Sequence, residues 1–322
     1  MDSTVPLGNQ LQGEIIPPCS KSYAQRALAA ALLASGRTTL RGIELCRDTR
    51  SAIKVIEKLG ATVEVIDDNT LVITGGLNPQ TDCINVGESG LAARLFTPIA
   101  ALADTPITIQ GEGTLCHRPM SMMVEPLKEL GVAVRDGGGR LPIEVCGPMR
   151  GGRVVVDGHM SSQFVTGLLI ALPLVARDTT VEVRGAVSTP YIDMTMETVS
   201  RFGVEIMYNE GDYTEFYISG NQQYQPVDYT IESDWSAAAI IMVAAAIAGE
   251  VTVRNISTLS RQADTAICRA LERVGASLIL ESNSITVKRR ELNAFTFDAT
   301  QCPDLFPALV ALAAACDGVS TI

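Results

Sequence analysis

Apolar and polar positions along this chain fall into one unit that recurs at an interval of about 72 residues. Four stretches, Ser20–Ala34, Gly90–Ala103, Ser161–Ala176 and Asp234–Ala248, are apolar nearly all round, which predicts helices buried on every side. After each comes a strand-like segment: Thr38-Thr39-Leu40, Ile107-Thr108-Ile109, Val181-Glu182-Val183 and Val251-Thr252-Val253. An amphipathic helix follows, as in Asp48–Leu59 with Ile53, Val55, Ile56 and Leu59 on one face, or Arg118–Leu130. Each ends on a hydrophobic residue, Gly, then Ala or Val, and the glycines Gly60, Gly131, Gly203 and Gly275 are 71, 72 and 72 residues apart. Two short strands joined by a polar turn complete the unit, as in 62–66 and 70–73.

The unit therefore reads α-β-α-β-β, or βαβαββ with the strand ahead of the buried helix counted. This predicts an α/β (α+β) fold. A fifth buried helix starts at Asp304, in phase with Asp234, and the chain then reaches Ile322, which by periodicity alone lies within a unit. The pattern breaks at Gln222-Gln223-Tyr224-Gln225-Pro226. We expect one domain over 20–228 with three units, and a second from 1–19 plus 229–322 with its third unit absent.

Composition narrows the function classes. A chain of 322 residues with 47% hydrophobic and 19% charged residues is long enough for two packed cores. Its longest apolar runs, Phe164–Ala176 and Ala237–Ala248, fall short of the roughly 20 residues a membrane span needs. Met1–Gln12 has neither a basic region nor an apolar core of the secretory kind, so no membrane association and a cytoplasmic location are expected. The net charge of −11 argues against a nucleic-acid partner, which requires a basic face. Eight cysteines without a CxxC spacing predict neither a metal site nor a disulfide framework.

Polar residues collect at the turns into the buried helices. The first turn carries Lys21, Ser22 and Arg26, and the second carries Gly87-Glu88-Ser89-Gly90 with Arg94 four residues on. The third has Ser161-Ser162-Gln163, the fourth Glu232-Ser233-Asp234-Trp235-Ser236, and the fifth Gln301-Cys302-Pro303-Asp304. The amphipathic helices add Arg118-Pro119 and Ser188-Thr189-Pro190-Tyr191. Helix N-termini with nearby Lys and Arg favour anions, so a phosphate or carboxylate ligand is expected. Capped surface helices are the simpler reading of each turn taken singly. Arg94, within an apolar helix, requires a partner such as a carboxylate or a ligand.

These residues carry a resemblance. Pro18-Cys19-Ser20-Lys21-Ser22 through Arg26 resembles the Pro-x-Ser-Lys-Ser/Thr-x-x-x-Arg signature of the 5-enolpyruvylshikimate-3-phosphate synthase family. Gly90 to Arg94, Arg118-Pro119, Ser161-Ser162-Gln163-Phe164, Ser188-x-Pro190-Tyr191-Ile192-Asp193 and Pro303-Asp304 resemble further family segments in the same order. The resemblance implies the enolpyruvyl transferase fold, a two-domain inside-out α/β barrel of βαβαββ units. It implies transfer of the enolpyruvyl group of phosphoenolpyruvate to the 5-hydroxyl of shikimate 3-phosphate, without metal or organic cofactor and by a monomer. Ser22, Arg26, Ser161, Ser162, Ser188 and Tyr191 would then hold shikimate 3-phosphate. Lys21 and Gln163 would touch both substrates, and Gly90 with Arg118 would line the phosphoenolpyruvate site. Lys21 and Asp304 would be catalytic, Asp304 as the proton acceptor at the 5-hydroxyl.

Glu88, Ser89 and Leu91 depart from the family pattern, and a carboxylate at Glu88 is unfavourable beside an anion unless Arg94 or another cation pairs with it. The family's Lys-Glu-Ser/Thr-Asp-Arg segment has no counterpart before Ile322, so this chain alone is expected to turn over negligibly. Two alternatives remain at this point: a UDP-N-acetylglucosamine enolpyruvyl transferase, with Cys116 in a similar loop, and a non-catalytic fragment that binds shikimate 3-phosphate.

Overall fold

The computed structural model describes residues 10–160 and 162–322. By their contacts these divide into two compact units, Lys21–Ile231 and residues 10–20 with Glu232–Ile322. The chain starts with β1 (Leu11–Ile15) and enters α1 (Lys21–Leu33), followed by β2 (Arg37–Arg41), α2 (Arg47–Lys58), β3 (Thr62–Asp67) and β4 (Thr70–Thr74). The second repeat is β5 (Cys83–Asn85), α3 (Gly90–Ala100), β6 (Ile107–Gln110), α4 (Val124–Glu129), β7 (Ala133–Asp136) and β8 (Ile143–Cys146). The third is β9 (Arg153–Asp157), α5 (Ser162–Ala171), β10 (Thr179–Arg184), α6 (Pro190–Arg201), β11 (Ile206–Tyr208) and β12 (Glu215–Ile218). β13 (Asp228–Thr230) ends the Lys21–Ile231 unit. The other unit continues with α7 (Trp235–Ala248), β14 (Gly249–Arg254), α8 (Ile267–Arg273), β15 (Ser277–Leu280), β16 (Ser284–Lys288) and α9 (Phe306–Ala314).

Four four-stranded sheets share one topology: β13-β2-β4-β3, β5-β6-β8-β7, β9-β10-β12-β11 and β1-β14-β16-β15. In each, a lead strand runs parallel to the second strand, and an antiparallel hairpin follows. The lead strand of the first repeat comes from the far end of its unit. Asp228 pairs with Thr39 and Thr230 with Arg41, and the Arg41 guanidinium grips Asp228 at 3.0 and 3.1 Å. This strand draws the unit boundary to Ile231, beyond the expected 228. β1, in turn, leads the sheet of the other unit, parallel to β14.

Strands bury alternate residues, as the two-residue period dictates: in β2, Thr38 and Leu40 are buried while the termini are exposed. Helices differ by position. Every residue of α3 is buried, and so is α1 from Tyr23 to Leu33, whereas α2 buries one face through Thr49, Ala52, Val55 and Ile56. α3 packs against α5 and α1, so α1, α3 and α5 form the interior of their unit. The expected helix Arg118–Leu130 is instead a 3-10 turn at Ser121–Met123 followed by α4. Pro126 sits in the first turn of α4, where its missing N–H leaves no helix bond unmade.

A second glycine series seals the C-terminal ends of the interior helices. A Cβ at Gly75 would lie 2.0 Å from the Ala31 carbonyl oxygen, at Gly147 2.0 Å from that of Ala101, and at Gly220 2.7 Å from that of Val175. The same segments satisfy free helix-end carbonyls: Gly76 N–H donates to Leu32, Met149 to Ala101 and Asn221 to Val175. Among the described residues, no helix is long and apolar enough to cross a membrane.

Candidate anion site

The site is built at the N-terminus of α3. Ser89 caps this helix, its Oγ accepting from the Ala92 N–H at 3.1 Å, and donates to the Gln25 Oε1 of α1 at 3.0 Å. The next residue has no side chain, and an added one would press on its neighbours. A Cβ at Gly90 would lie 3.0 Å from Arg118 Nη1, 3.1 Å from Arg94 Nη1 and 3.6 Å from Gln163 Oε1. Two guanidiniums, an amide and a helix end thus converge over one glycine.

Arg94 is 7% exposed. Its Nη1 donates to Gln163 Oε1 at 2.8 Å and to the Gly90 carbonyl at 3.3 Å, and its Nη2 donates to the Pro119 carbonyl at 3.1 Å. Its buried Nε has no partner among the described residues. Of the partners expected from sequence, a carboxylate or a ligand, the described residues supply no carboxylate, and neutral oxygens take its place. Burial first, and repulsion from Arg118 second, pull the Arg94 guanidinium below its ordinary range. Arg118 is exposed and forms no ion pair among the described residues. Two guanidiniums that converge on one helix N-terminus without a carboxylate partner are an arrangement that suits an anion. Glu88 does not supply that partner. Its carboxylate rests over Gly113, where an added Cβ would come within 1.7 Å of Oε1.

A second cluster joins α1, α5 and α6. Arg26, expected to contact the ligand, is instead fully buried. Its Nε donates to Thr195 Oγ1 at 2.9 Å, its Nη2 to the Tyr191 carbonyl at 2.9 Å and Thr166 Oγ1 at 3.3 Å, and its Nη1 to the Ser22 carbonyl at 2.9 Å. Burial lowers its pKa to about 10, partly offset by Tyr23, Tyr191 and Tyr229, so it remains a cation at neutral pH. Arg26 thereby fixes the backbone of two other predicted residues, Ser22 and Tyr191. Ser188 precedes α6 with a φ of 54°, a conformation that costs energy for a residue other than glycine and recurs at functional turns. Its carbonyl accepts from Tyr191 N–H at 3.1 Å.

The remaining predicted residues are placed as follows. Lys21 opens α1 with its side chain 58% exposed and its Nζ 3.6 Å from Asp48 Oδ2. Ser162 is buried at the start of α5, and Ser161 lies outside the described residues. Asp304 is exposed in the 3-10 turn Pro303–Leu305 ahead of α9, in the other unit. His117 and His159 are both exposed, and His159 pairs with Asp157. Gln25, Thr166 and Thr195 were missed from sequence. The signal available for Thr166 was the one that singled out Arg94, a polar side chain within a buried helix. All eight cysteines are free. Among the described residues, no group of His, Cys, Asp or Glu could hold a metal ion.

Comparison with known proteins adds a family. The model of EPSP synthase (3-phosphoshikimate 1-carboxyvinyltransferase) matches residues 5–322. A 3-phosphoshikimate 1-carboxyvinyltransferase of Methanosarcina acetivorans is 36% identical over 98% of this chain and 75% of its own length. One of Clostridium kluyveri is 34% identical over 97% of this chain and 74% of its own. The chain thus spans about three quarters of these relatives. Among solved structures, EPSP synthase from Acinetobacter baumannii superposes with a TM-score of 0.83 at 23% identity, over 98% of this chain and 74% of that one. The enolpyruvyl transferase NikO from Streptomyces tendae does so with a TM-score of 0.76 at 15% identity, over 97% and 74%. These two likenesses establish the enolpyruvyl transferase fold.

Proposed function

Because the chain belongs to the EPSP synthase (3-phosphoshikimate 1-carboxyvinyltransferase) family, we propose that it transfers the enolpyruvyl group of phosphoenolpyruvate to the 5-hydroxyl of shikimate 3-phosphate, releasing phosphate. The observation that supports this most strongly is the convergence of Arg94 and Arg118 on Gly90, where an added Cβ would lie 3.1 and 3.0 Å from their Nη1 atoms, while neither arginine forms an ion pair among the described residues. Phosphoenolpyruvate brings a phosphate and a carboxylate, and its charge suits two such cations. The UDP-N-acetylglucosamine alternative is not favoured, since the relatives described above carry the shikimate name.

In this reading Ser22, Ser161, Ser162, Ser188 and Tyr191 hold shikimate 3-phosphate, with Arg26 behind Ser22 and Tyr191 as the group that positions them. Gln163 spans both substrates and is itself oriented by Arg94. Lys21 bridges the two anions. Its resting pair with Asp48 is solvent-exposed and worth at most about 1 kcal/mol, so a substrate phosphate displaces it readily. The 5-hydroxyl oxygen bonds to C2 of phosphoenolpyruvate as Asp304 accepts the hydroxyl proton and the C2–C3 π pair takes up a proton at C3. The tetrahedral adduct then loses a proton from C3 and expels phosphate by cleavage of its C2–O bond, which restores the double bond. Cations and helix ends offset the repulsion between two polyanions held side by side.

Calorimetric titration of the Arg118→Ala variant tests the site. Phosphoenolpyruvate added in the presence of shikimate 3-phosphate should bind at least about 10-fold more weakly, a loss of about 1.4 kcal/mol. Shikimate 3-phosphate alone should bind within about threefold of the wild type. Unchanged phosphoenolpyruvate affinity would remove Arg118 and the Gly90 site from the reaction.

A further inference from the structure

The connection between β11 and β12 reaches the start of α6. Tyr213, on that connection, has a φ of 53°, a region that a bulky side chain rarely adopts. Among the described residues, the other positive φ outside glycine and asparagine is that of Ser188, just ahead of α6. Backbone of this kind persists where its surroundings hold it. Tyr213 is held at both ends of its side chain. Its ring centre lies 6.1 Å from that of Tyr208, which in turn stacks on the buried Phe216 at 5.5 Å. Its hydroxyl donates to Asp193 in the first turn of α6, 2.8 Å from each carboxylate oxygen. The neighbouring Thr214 carbonyl accepts from the Val183 N–H of β10 at 2.7 Å, which fastens the connection to its sheet.

The start of α6 needs such a hold. Thr189, at its N-cap, makes no side-chain capping bond. The first amides turn back onto backbone instead: Tyr191 N–H donates to the Ser188 carbonyl at 3.1 Å, and those of Ile192 and Asp193 to the Thr189 carbonyl at 2.8 and 3.2 Å. Without a capping side chain, contacts from other elements decide how this turn sits. One is the Arg26 guanidinium on the Tyr191 carbonyl, and a second is the Tyr213 hydroxyl on Asp193. Burial first, and then the bond to Asp193, push the Tyr213 hydroxyl well above the usual phenol range, so it remains a donor throughout the neutral range. Its bond to a carboxylate is of the charge-assisted, stronger kind.

We propose that Tyr213 is a positioning residue for shikimate 3-phosphate, holding the start of α6 through Asp193 in the conformation in which Ser188 and Tyr191 meet the ligand. This rests on the reading that Ser188 and Tyr191 hold that ligand. The hydroxyl touches no substrate. It acts through the carboxylate, and the ring stack on Tyr208 and Phe216 fixes the point from which it acts. A tie that served stability alone would lower the unfolding free energy and leave the affinity of the folded chain as it was.

The test is calorimetric titration of the full chain with shikimate 3-phosphate, together with hydrogen exchange of the free chain. Tyr213→Phe keeps the ring and removes the hydroxyl. It should weaken binding by about 5-fold or more, with the amide fingerprint outside the start of α6 unchanged. The amides of 191–193 should exchange at least about 10-fold faster. Asp193→Ala should weaken binding too, and Tyr213→Phe added to it should cost no further affinity, because both act through one bond. An affinity of Tyr213→Phe within about twofold of the wild type would overturn the proposal, whatever its stability, and so would losses that add in the double variant. Ser188→Ala separates the two ideas. If it weakens binding and Tyr213→Phe does not, Tyr213 is no positioning residue while the ligand reading stands. If neither weakens binding, the start of α6 does not hold the ligand, and both readings fall.

Discussion

Arg26 and Arg94 are both arginines in otherwise buried helices, yet the structure gives them different tasks. Arg94 keeps a face toward Arg118 and Gly90, with neutral oxygens behind it. Arg26 has no exposed face, and its fork reaches three helices through Ser22, Thr166, Tyr191 and Thr195. A lysine keeps the charge and loses the fork, so Thr195 Oγ1, Thr166 Oγ1 and the Tyr191 carbonyl all lose the guanidinium, and only the weaker hydroxyl bonds among them remain. Arg26→Lys should therefore lower the unfolding free energy by roughly 2–4 kcal/mol, as the loss of several buried charge-assisted hydrogen bonds does. Urea denaturation measures it, and a loss below about 1 kcal/mol would show that Arg26 is not a keystone of the interior. Shikimate 3-phosphate affinity should fall as well, because Tyr191 and Ser22 lose their anchor.

At the scale of elements, the repeat was legible because burial is written in periodicity. Helices apolar all round became the interior α1, α3 and α5, and Gln163 from the start of α5 meets Arg94 from the start of α3. Three things were not legible, and all three depend on distance in sequence. Arg26 meets Thr195 across 169 residues, which turns an apparent ligand contact into an internal tie. β13 completes the first sheet from the end of its unit and moves the boundary to Ile231. Gly75, Gly147 and Gly220 recur at nearly the same interval as the glycines after the amphipathic helices, but their role depends on which helix end they meet. Gly147→Ala tests that role. Its Cβ would press on two backbone carbonyls, of Ala101 and Ala103, neither of which can turn aside. We expect a loss of roughly 2–4 kcal/mol in the same denaturation experiment, with substrate affinities little changed at the opposite end of α3. A loss below about 0.5 kcal/mol would mean that the interior helix shifts without cost.

At the scale of the whole molecule, the residues proposed for the reaction fall in both units. All the residues proposed to hold shikimate 3-phosphate belong to Lys21–Ile231, and the proposed acceptor Asp304 belongs to the other unit. The net charge of −11 makes Arg94 and Arg118, which have no carboxylate partner among the described residues, stand out as the place where an anion gains most. Hydrogen exchange can read this division directly. Shikimate 3-phosphate alone, at about 100 times its dissociation constant, stabilises whatever binds it by about 2.7 kcal/mol. The slowed amides should concentrate at the starts of α1, α5 and α6, at Lys21–Gln25, 162–165 and 188–192. The second ligand, phosphoenolpyruvate, should then extend protection to Gly90–Arg94 and the turn at Arg118. If shikimate 3-phosphate instead left those first three turns unprotected and acted within Glu232–Ile322, its binding residues would have to be sought around Asp304 rather than at the interior helix ends.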